Sequence, residues 1–195
     1  MKKAHFNPKS LNWLISLAVM IVVCVGVIFG SKAIYEAANK KYNEPVEIPF
    51  TVASTLDADI SSTNAADLGI SSVKEAYDSS NKLVAYVVEG QVIGYNQSSP
   101  IVMASTISAD GTLVCGIEII DQDETEYLGE KIDTPEFQAQ FDGRYLPVVV
   151  AGGTDKGSKI DAISGATISS KAVIQFVNNA QQFVADNYVP ESAAE

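Results

Sequence analysis

The sequence predicts an α+β protein: a single N-terminal transmembrane helix, then one folded domain with a small antiparallel sheet and a long C-terminal helix. Three observations carry that prediction. Leu11 to Gly30 contains no charged residue. Between residues 82 and 120, apolar runs of strand length flank turn-forming pairs. After Ala166, apolar residues recur at helical spacing.

The apolar run, extended to residues 11–31, is about 30 Å of helix at 1.5 Å per residue, the thickness of a bilayer's hydrocarbon core. A signal peptide has a shorter apolar core of about 7–15 residues. Ser31-Lys32-Ala33 does resemble a small-x-small cleavage site, so removal of the span is a competing reading. Lipid attachment at Cys24 is excluded because Val23, not a small residue, precedes it. Residues 1–30 carry Lys2, Lys3 and Lys9 and no acid, whereas the remainder sets 10 basic residues against 24 acidic ones, a net of −14. Lys32, Lys40 and Lys41 leave the local count across the span tied, but the short tail is richer in lysine per residue. Residues 1–10 are therefore expected to be a cytoplasmic tail, 32–60 a juxtamembrane stalk, and 61–190 a domain outside the cell or in a periplasm. So acidic a domain lacks the clustered Lys and Arg that nucleic acid demands. Cys24 lies in the span and Cys115 in an apolar run, so no disulfide joins them, and Cys115 reads as a small buried hydrophobe.

Within the domain, a weak helix is expected over 65–77, with Leu68, Val73 and Ala76 on one side. Leu83–Val88 and Gln91–Tyr95 flank Glu89-Gly90 and predict a hairpin; Ile101–Ala109 and Thr112–Ile120 flank Asp110-Gly111 and predict a second. An acidic loop, Asp121 to Glu130, follows. Pro135 suits the first turn of a short helix ending near Phe141. Leu146–Ala151 reads as a buried strand, and Gly152–Gly157 as a loop. The final helix runs from Ala166 to Asn187, with Ile168, Ala172, Phe176, Ala180 and Phe183 forming one apolar face. Four or five strands and two or three helices make a core that needs no covalent staples.

Several chemistries are excluded. The sole histidine, His5, lies before the span, so neither a hydrolase triad nor a histidine metal site is open to the domain. No GxGxxG and no P-loop is present. The loop from Asp121 begins like a calcium loop but has Glu126 at the position that requires glycine. The informative stretch is Asp161-Ala162-Ile163-Ser164-Gly165-Ala166-Thr167-Ile168-Ser169-Ser170-Lys171. Small and hydroxyl residues crowd the start of a helix, where unpaired N–H groups and a partial positive charge hold phosphate. Gly165 and Ala166 permit close approach of a bulky ligand, and Ser164, Thr167, Ser169 and Ser170 could donate to it. On the residues alone, the plainer reading is that Ser164 simply caps the helix.

Asp161 to Thr167 (DAISGAT) resembles the flavinylation motif of FMN-binding domains, D-x-x-S/T-G-A-T/S. The following ISSKAV is similar to the continuation in the G subunits of Rnf electron-transport complexes and the C subunits of sodium-pumping quinone reductases. Glu124 to Ile132 (ETEYLGEKI) resembles the ETPGLG-x-K-I loop of those proteins, matching at Thr125, Leu128 and Gly129 and departing at Glu126 and Tyr127. The resemblance spans 82–188, together with the single anchor. It implies FMN esterified through its phosphate to Thr167, with Asp161, Ser164, Gly165, Ala166 and Thr167 read by a flavin transferase. Thr125, Leu128 and Gly129 are then expected beside the flavin, with Tyr127 a candidate for stacking near the ring. Thr167 would be an anchor and not a catalyst, so no catalytic side chain is assigned and no metal. The implied function is electron transfer, without turnover of its own, as one member of a membrane complex that couples ferredoxin and NAD electron transfer to sodium or proton translocation. Its partners would be the complex's other membrane subunits. A stand-alone extracellular flavoprotein carrier is a second reading, and a non-redox interaction domain a third.

Overall fold

The computed structural model describes residues 34, 39–42, 44–61 and 63–190. The predicted tail 1–10, the span 11–31 and the Ser31–Ala33 site lie outside the described residues, among which no helix is long and apolar enough to cross a membrane. The chain divides into a segment through Lys40 and a compact unit from Lys41 onward, and it is the second that carries the sheet and the long helix.

Six strands form one sheet in chain order, each antiparallel to the next: β1 (Ser54–Asp57), β2 (Ile70–Tyr77), β3 (Leu83–Val92), β4 (Ile101–Ser108), β5 (Leu113–Asp121) and β6 (Arg144–Tyr145). A short helix α1 (Pro135–Gln138) continues as a 3-10 turn to Phe141, and Thr134 caps it by accepting from the Phe137 N–H. Strands β7 (Val148–Val150) and β8 (Ser158–Ile160) make a separate parallel pair. Helix α2 (Thr167–Asn187) closes the domain.

The predicted Asp110-Gly111 hairpin is present, and its chemistry is local. One Asp110 oxygen accepts from Ser108 Oγ (2.5 Å), Thr112 N (3.1 Å) and Thr112 Oγ1 (2.9 Å), while Gly111 adopts φ +69°. The short helix at Pro135, the strand within 146–151, the loop at 152–157 and the long final helix are likewise where the sequence puts them.

Three expectations fail. Glu89-Gly90 is no turn but the middle of β3, which runs unbroken from Leu83 to Val92. Glycine stands at 90 because a Cβ there would strike the Gly69 carbonyl oxygen and lie 2.8 Å from Phe176 Cε2. Glu89 faces outward, paired with Lys74 Nζ at 2.6 Å and accepting from Ser72 Oγ at 2.9 Å. Second, the expected helix over 65–77 is a 3-10 turn (Ala66–Leu68) followed by β2. Its buried residues, Ile70, Val73 and Ala76, recur every third position. A register shift between Ile70 and Ser72 makes the first of these steps, whereas pairing is regular from Val73 to Ala76, so those two residues are buried on opposite faces of the sheet and together imitate a helical spacing. Third, part of the segment expected to be stalk pairs with the domain: β1 adds an edge strand to β2, and Val46 N donates to Gly143 O at 2.8 Å.

The core lies between the sheet and α2. Val173, Phe176, Val177, Ala180, Phe183 and Val184 of the helix are all fully buried, with Val88, Met103, Ile107 and Val114 in the same cluster from the sheet. Burying a large apolar side chain of this kind stabilises the fold by about 1.5–3 kcal/mol. Ile168, expected on this face, is 54% exposed instead, because it sits at the helix's first turn beyond the edge of the packed layer. Asn178 joins α2 to β7: its Oδ1 accepts from Val148 N (3.0 Å) and its Nδ2 donates to Val148 O (2.9 Å), closing that strand's open edge. These contacts orient the helix so that its N-terminus lies beside the loop that follows β5.

Candidate functional site

The start of α2 is left open. Gly165, at φ +81°, turns the chain into the helix, and Ala166 at the N-cap offers no side-chain hydrogen bond. Ser164 does not cap the helix; it is exposed. The backbone N–H groups of Thr167, Ile168 and Ser169 have no hydrogen-bond partner among the described residues, and no acid occupies the first turn. Three orphan donors thus sit at the positive end of a helix of 21 residues. Thr167, the first helical residue, is exposed beside them.

The neighbouring serines are already occupied. Ser170 is buried, donating to Ala166 O (3.0 Å) and accepting from Ile163 N (3.0 Å), so it fixes the turn and does not line the cleft, contrary to its expected role as a ligand donor. Ser169, also buried, donates to Glu124 Oε2 at 2.5 Å. Asp161 is exposed, and its backbone, not its side chain, is held, with its N–H donating to Gln140 Oε1 at 2.8 Å.

A cleft of about 350 Å³ opens here, within the range of small-ligand pockets. Its helix wall is Gly165 to Ser169; its other wall is Thr125, Leu128 and Gly129, with Tyr95 from the loop after β3. The sequence-predicted Thr125, Leu128, Gly129, Gly165, Ala166, Thr167 and Ser169 therefore converge on one space. Tyr127 does not line it; it lies 72% exposed at φ +62°, its N–H donating to Glu130 Oε1 at 2.7 Å. The aromatic residue in the cleft is Tyr95, 61% exposed. The sequence marks Tyr95 only as the end of an expected strand, and its one signal is an isolated aromatic after an apolar run.

Glu124 is the other residue whose place the sequence does not reveal. Its buried carboxylate accepts from Tyr95 N and Asn96 N, each at 3.1 Å, and from Ser169 Oγ. Two glycines make room for it. A Cβ at Gly94 would strike Glu124 Oε1, and one at Gly129 would lie 2.8 Å from Glu124 Cβ and 3.0 Å from Ser169 Oγ.

The arrangement suits a ligand with an anionic end and a flat apolar body. Free N–H groups at the helix start serve the anion, and Leu128, Ile168 and Tyr95 offer apolar surface; all three are among the exposed large hydrophobic residues. Gly165 permits the close approach, since a Cβ there would already sit 3.2 Å from Leu128 Cδ2. By these tests the residues present fit FMN.

Comparison with known proteins agrees. Residues 94–182 match the model of the FMN-binding domain. The chain is 42% identical over 107 residues to the G subunit of the ion-translocating oxidoreductase complex of Methanosarcina acetivorans, covering 55% of each chain. It is 37% identical over 124 residues to the G subunit of the Na(+)-translocating ferredoxin:NAD(+) oxidoreductase complex of Acetobacterium woodii, covering 58% of each. The matches thus span little more than half the length of these relatives. In fold, it is similar to the crystal structure of the C subunit of the Na(+)-translocating NADH-quinone reductase from Parabacteroides distasonis, with a TM-score of 0.52 at 20% identity, covering 72% of this chain and 79% of that one. Through residues 94–182 the chain is thus similar to the FMN-binding domain family.

Proposed function

We propose that this protein is the electron-transfer member of an ion-translocating membrane oxidoreductase complex and carries FMN as a phosphoester on Thr167. The observation that carries the reading is the uncapped start of α2, where an exposed threonine hydroxyl sits beside three unpartnered N–H groups at the edge of a cleft with apolar walls. The relatives that are G subunits supply the assignment to a complex. FMN, when bound, accepts and releases one or two electrons, chemistry that no side chain provides. The protein's own residues have simpler tasks. Thr167 Oγ1 would be esterified to the phosphate, losing its proton as the equivalent of one water leaves overall, and the N–H groups of the first turn would hold the phosphate charge. Leu128, Ile168 and Tyr95 cover the ring and limit its contact with water. No proton-transfer residue is needed, which fits a cleft without histidine. Attachment requires a flavin transferase that reads Asp161 to Thr167. An anchor at 11–31 places the domain outside the cytoplasm, against the other membrane subunits, where a dissociable flavin would be lost to dilution. Sodium and protons are both open as the translocated ion.

The test is the intact mass of the protein extracted from its native membranes, with flavin fluorescence recorded after denaturing electrophoresis. The expected mass exceeds the polypeptide by one FMN less one water, and the label maps to the peptide containing Thr167. An unmodified mass from the native host overturns the covalent reading and leaves α2 as structure only.

A further inference from the structure

Glu124 is the most unusual polar residue in the domain. It is a carboxylate only 7% exposed, with no lysine or arginine among its hydrogen-bond partners. A charge in that position is tolerated only where donors surround it. Its three donors come from two segments far apart in the chain: the loop after β3 supplies Tyr95 N and Asn96 N, and the first turn of α2 supplies Ser169 Oγ. Glu124 itself begins the loop that bears Thr125, Leu128 and Gly129. A single carboxylate therefore ties together every segment that lines the cleft, from behind it. Gly94 and Gly129, whose Cβ atoms would collide with Glu124, show that the backbone on either side is built around this side chain.

We propose that Glu124 is the positioning residue of the cleft: it sets the spacing between the helix wall bearing Thr167 and the apolar wall of Tyr95 and Leu128, and so sets how far a bound flavin ring is shielded. It also turns Ser169 Oγ inward, so that Thr167 alone presents a free hydroxyl from the helix's first turn. The proposal rests on the FMN reading above.

Two variants of the full chain, matured in the native host, test it. Glu124→Gln keeps the shape but replaces one accepting oxygen with a donor that must face one backbone N–H, that of Asn96 at the Oε1 position or that of Tyr95 at the Oε2 position. Ser169→Ala cuts only the link to the helix. Amide hydrogen exchange at Tyr95 and Asn96, compared with Ala104 and Ser105 in β4, reads the clamp directly and needs no flavin. Iodide quenching of flavin fluorescence reads ring shielding. In Glu124→Gln, exchange at Tyr95 or Asn96, whichever faces the new amide nitrogen, is expected to rise at least about tenfold against an unchanged β4, with stronger quenching. In Ser169→Ala, quenching rises while exchange at those two amides stays within about twofold of the parent. Unchanged exchange at Tyr95 and Asn96 in Glu124→Gln, or a rise shared equally by β4, overturns the proposal; so does unchanged quenching in Ser169→Ala. Should Glu124→Gln fail to fold, Ser169→Ala decides. A parent protein without flavin defeats the FMN reading instead, and the exchange data then judge the clamp on its own.

Discussion

The two ends of α2 are finished in opposite ways. At the C-terminal end the last turn is capped and packed. Tyr188 N donates to Val184 O, Asn187 Nδ2 donates to Phe183 O, and the Tyr188 ring stacks on Tyr86 at 4.6 Å and meets Phe183 edge-on at 5.8 Å. At the N-terminal end no side chain caps the helix, three N–H groups stand open, and Ile168 and Thr167 face solvent. One helix thus holds its stability at one end and its chemistry at the other. A serine, threonine, aspartate or asparagine at the N-cap would have added about 1 kcal/mol, and Ala166 forgoes it. That stability is given up at the one end where a ligand needs the donors.

The largest expected effect is at the open end. Thr167→Ala should abolish covalent flavin completely while unfolding free energy changes by no more than about 0.5 kcal/mol, as expected for an exposed position. Intact mass and a denaturant titration on the same sample measure both. Thr167→Ser should keep part of the label, since a hydroxyl remains. If Thr167→Ala unfolds the domain, the two ends are not separable and the division of labour along α2 is wrong.

Next in size is the closed end. Phe183 is fully buried, so Phe183→Ala should cost about 3–5 kcal/mol, while the molecules that still fold retain flavin on Thr167. A loss below about 1 kcal/mol would contradict the close packing of this ring. Smaller, but more telling, is Ile168→Glu. An acid in the first turn of a helix stabilises it by about 0.3–1 kcal/mol, yet the same charge competes with phosphate for the free N–H groups. Stability should rise and flavin labelling fall; a parallel movement of the two would show that the first turn has no part in ligand binding.

The smallest effect tests the aromatic lock. Tyr188 Oη is buried and has no hydrogen-bond partner among the described residues, so Tyr188→Phe should be neutral within about 0.5 kcal/mol. Burial raises the phenols of both Tyr86 and Tyr188 above the ordinary 10.0, with Glu75 adding a smaller push. The folded state therefore keeps protons that the unfolded chain has begun to release. Their contribution is intact below about pH 10 and is lost as pH rises through the raised values. Unfolding free energy should fall above about pH 10, and the fall should be shallower in Tyr188→Phe. Equal slopes in the two proteins would remove Tyr188 from the account.

Legibility in the sequence follows the range of the interactions. The Asp110-Gly111 turn is readable because its hydrogen bonds involve Ser108, Asp110 and Thr112, all within a few residues. Most of the α2 face is readable because the helical period is a local property. The segment 65–77 reads as a helix but forms a strand, because one register shift after Ile70 and burial of Val73 and Ala76 on opposite sheet faces together give the spacing of Ile70, Val73 and Ala76. Gly90 looks like a turn residue, but its causes are the Gly69 carbonyl and Phe176, both distant in the chain.

The site divides along the same line. That small and hydroxyl residues begin the last helix, and that Thr167 and the Thr125–Gly129 loop resemble the parts of an FMN-binding domain, can be read from short stretches alone. Helix geometry converts such stretches directly into open N–H groups and a presented hydroxyl. Contacts between distant segments settle the rest: which serines are spent internally, that Tyr95 rather than Tyr127 lines the cleft, and that Glu124 is buried behind it. A carboxylate can be buried only where donors converge on it, and these donors lie 28, 29 and 45 residues away along the chain.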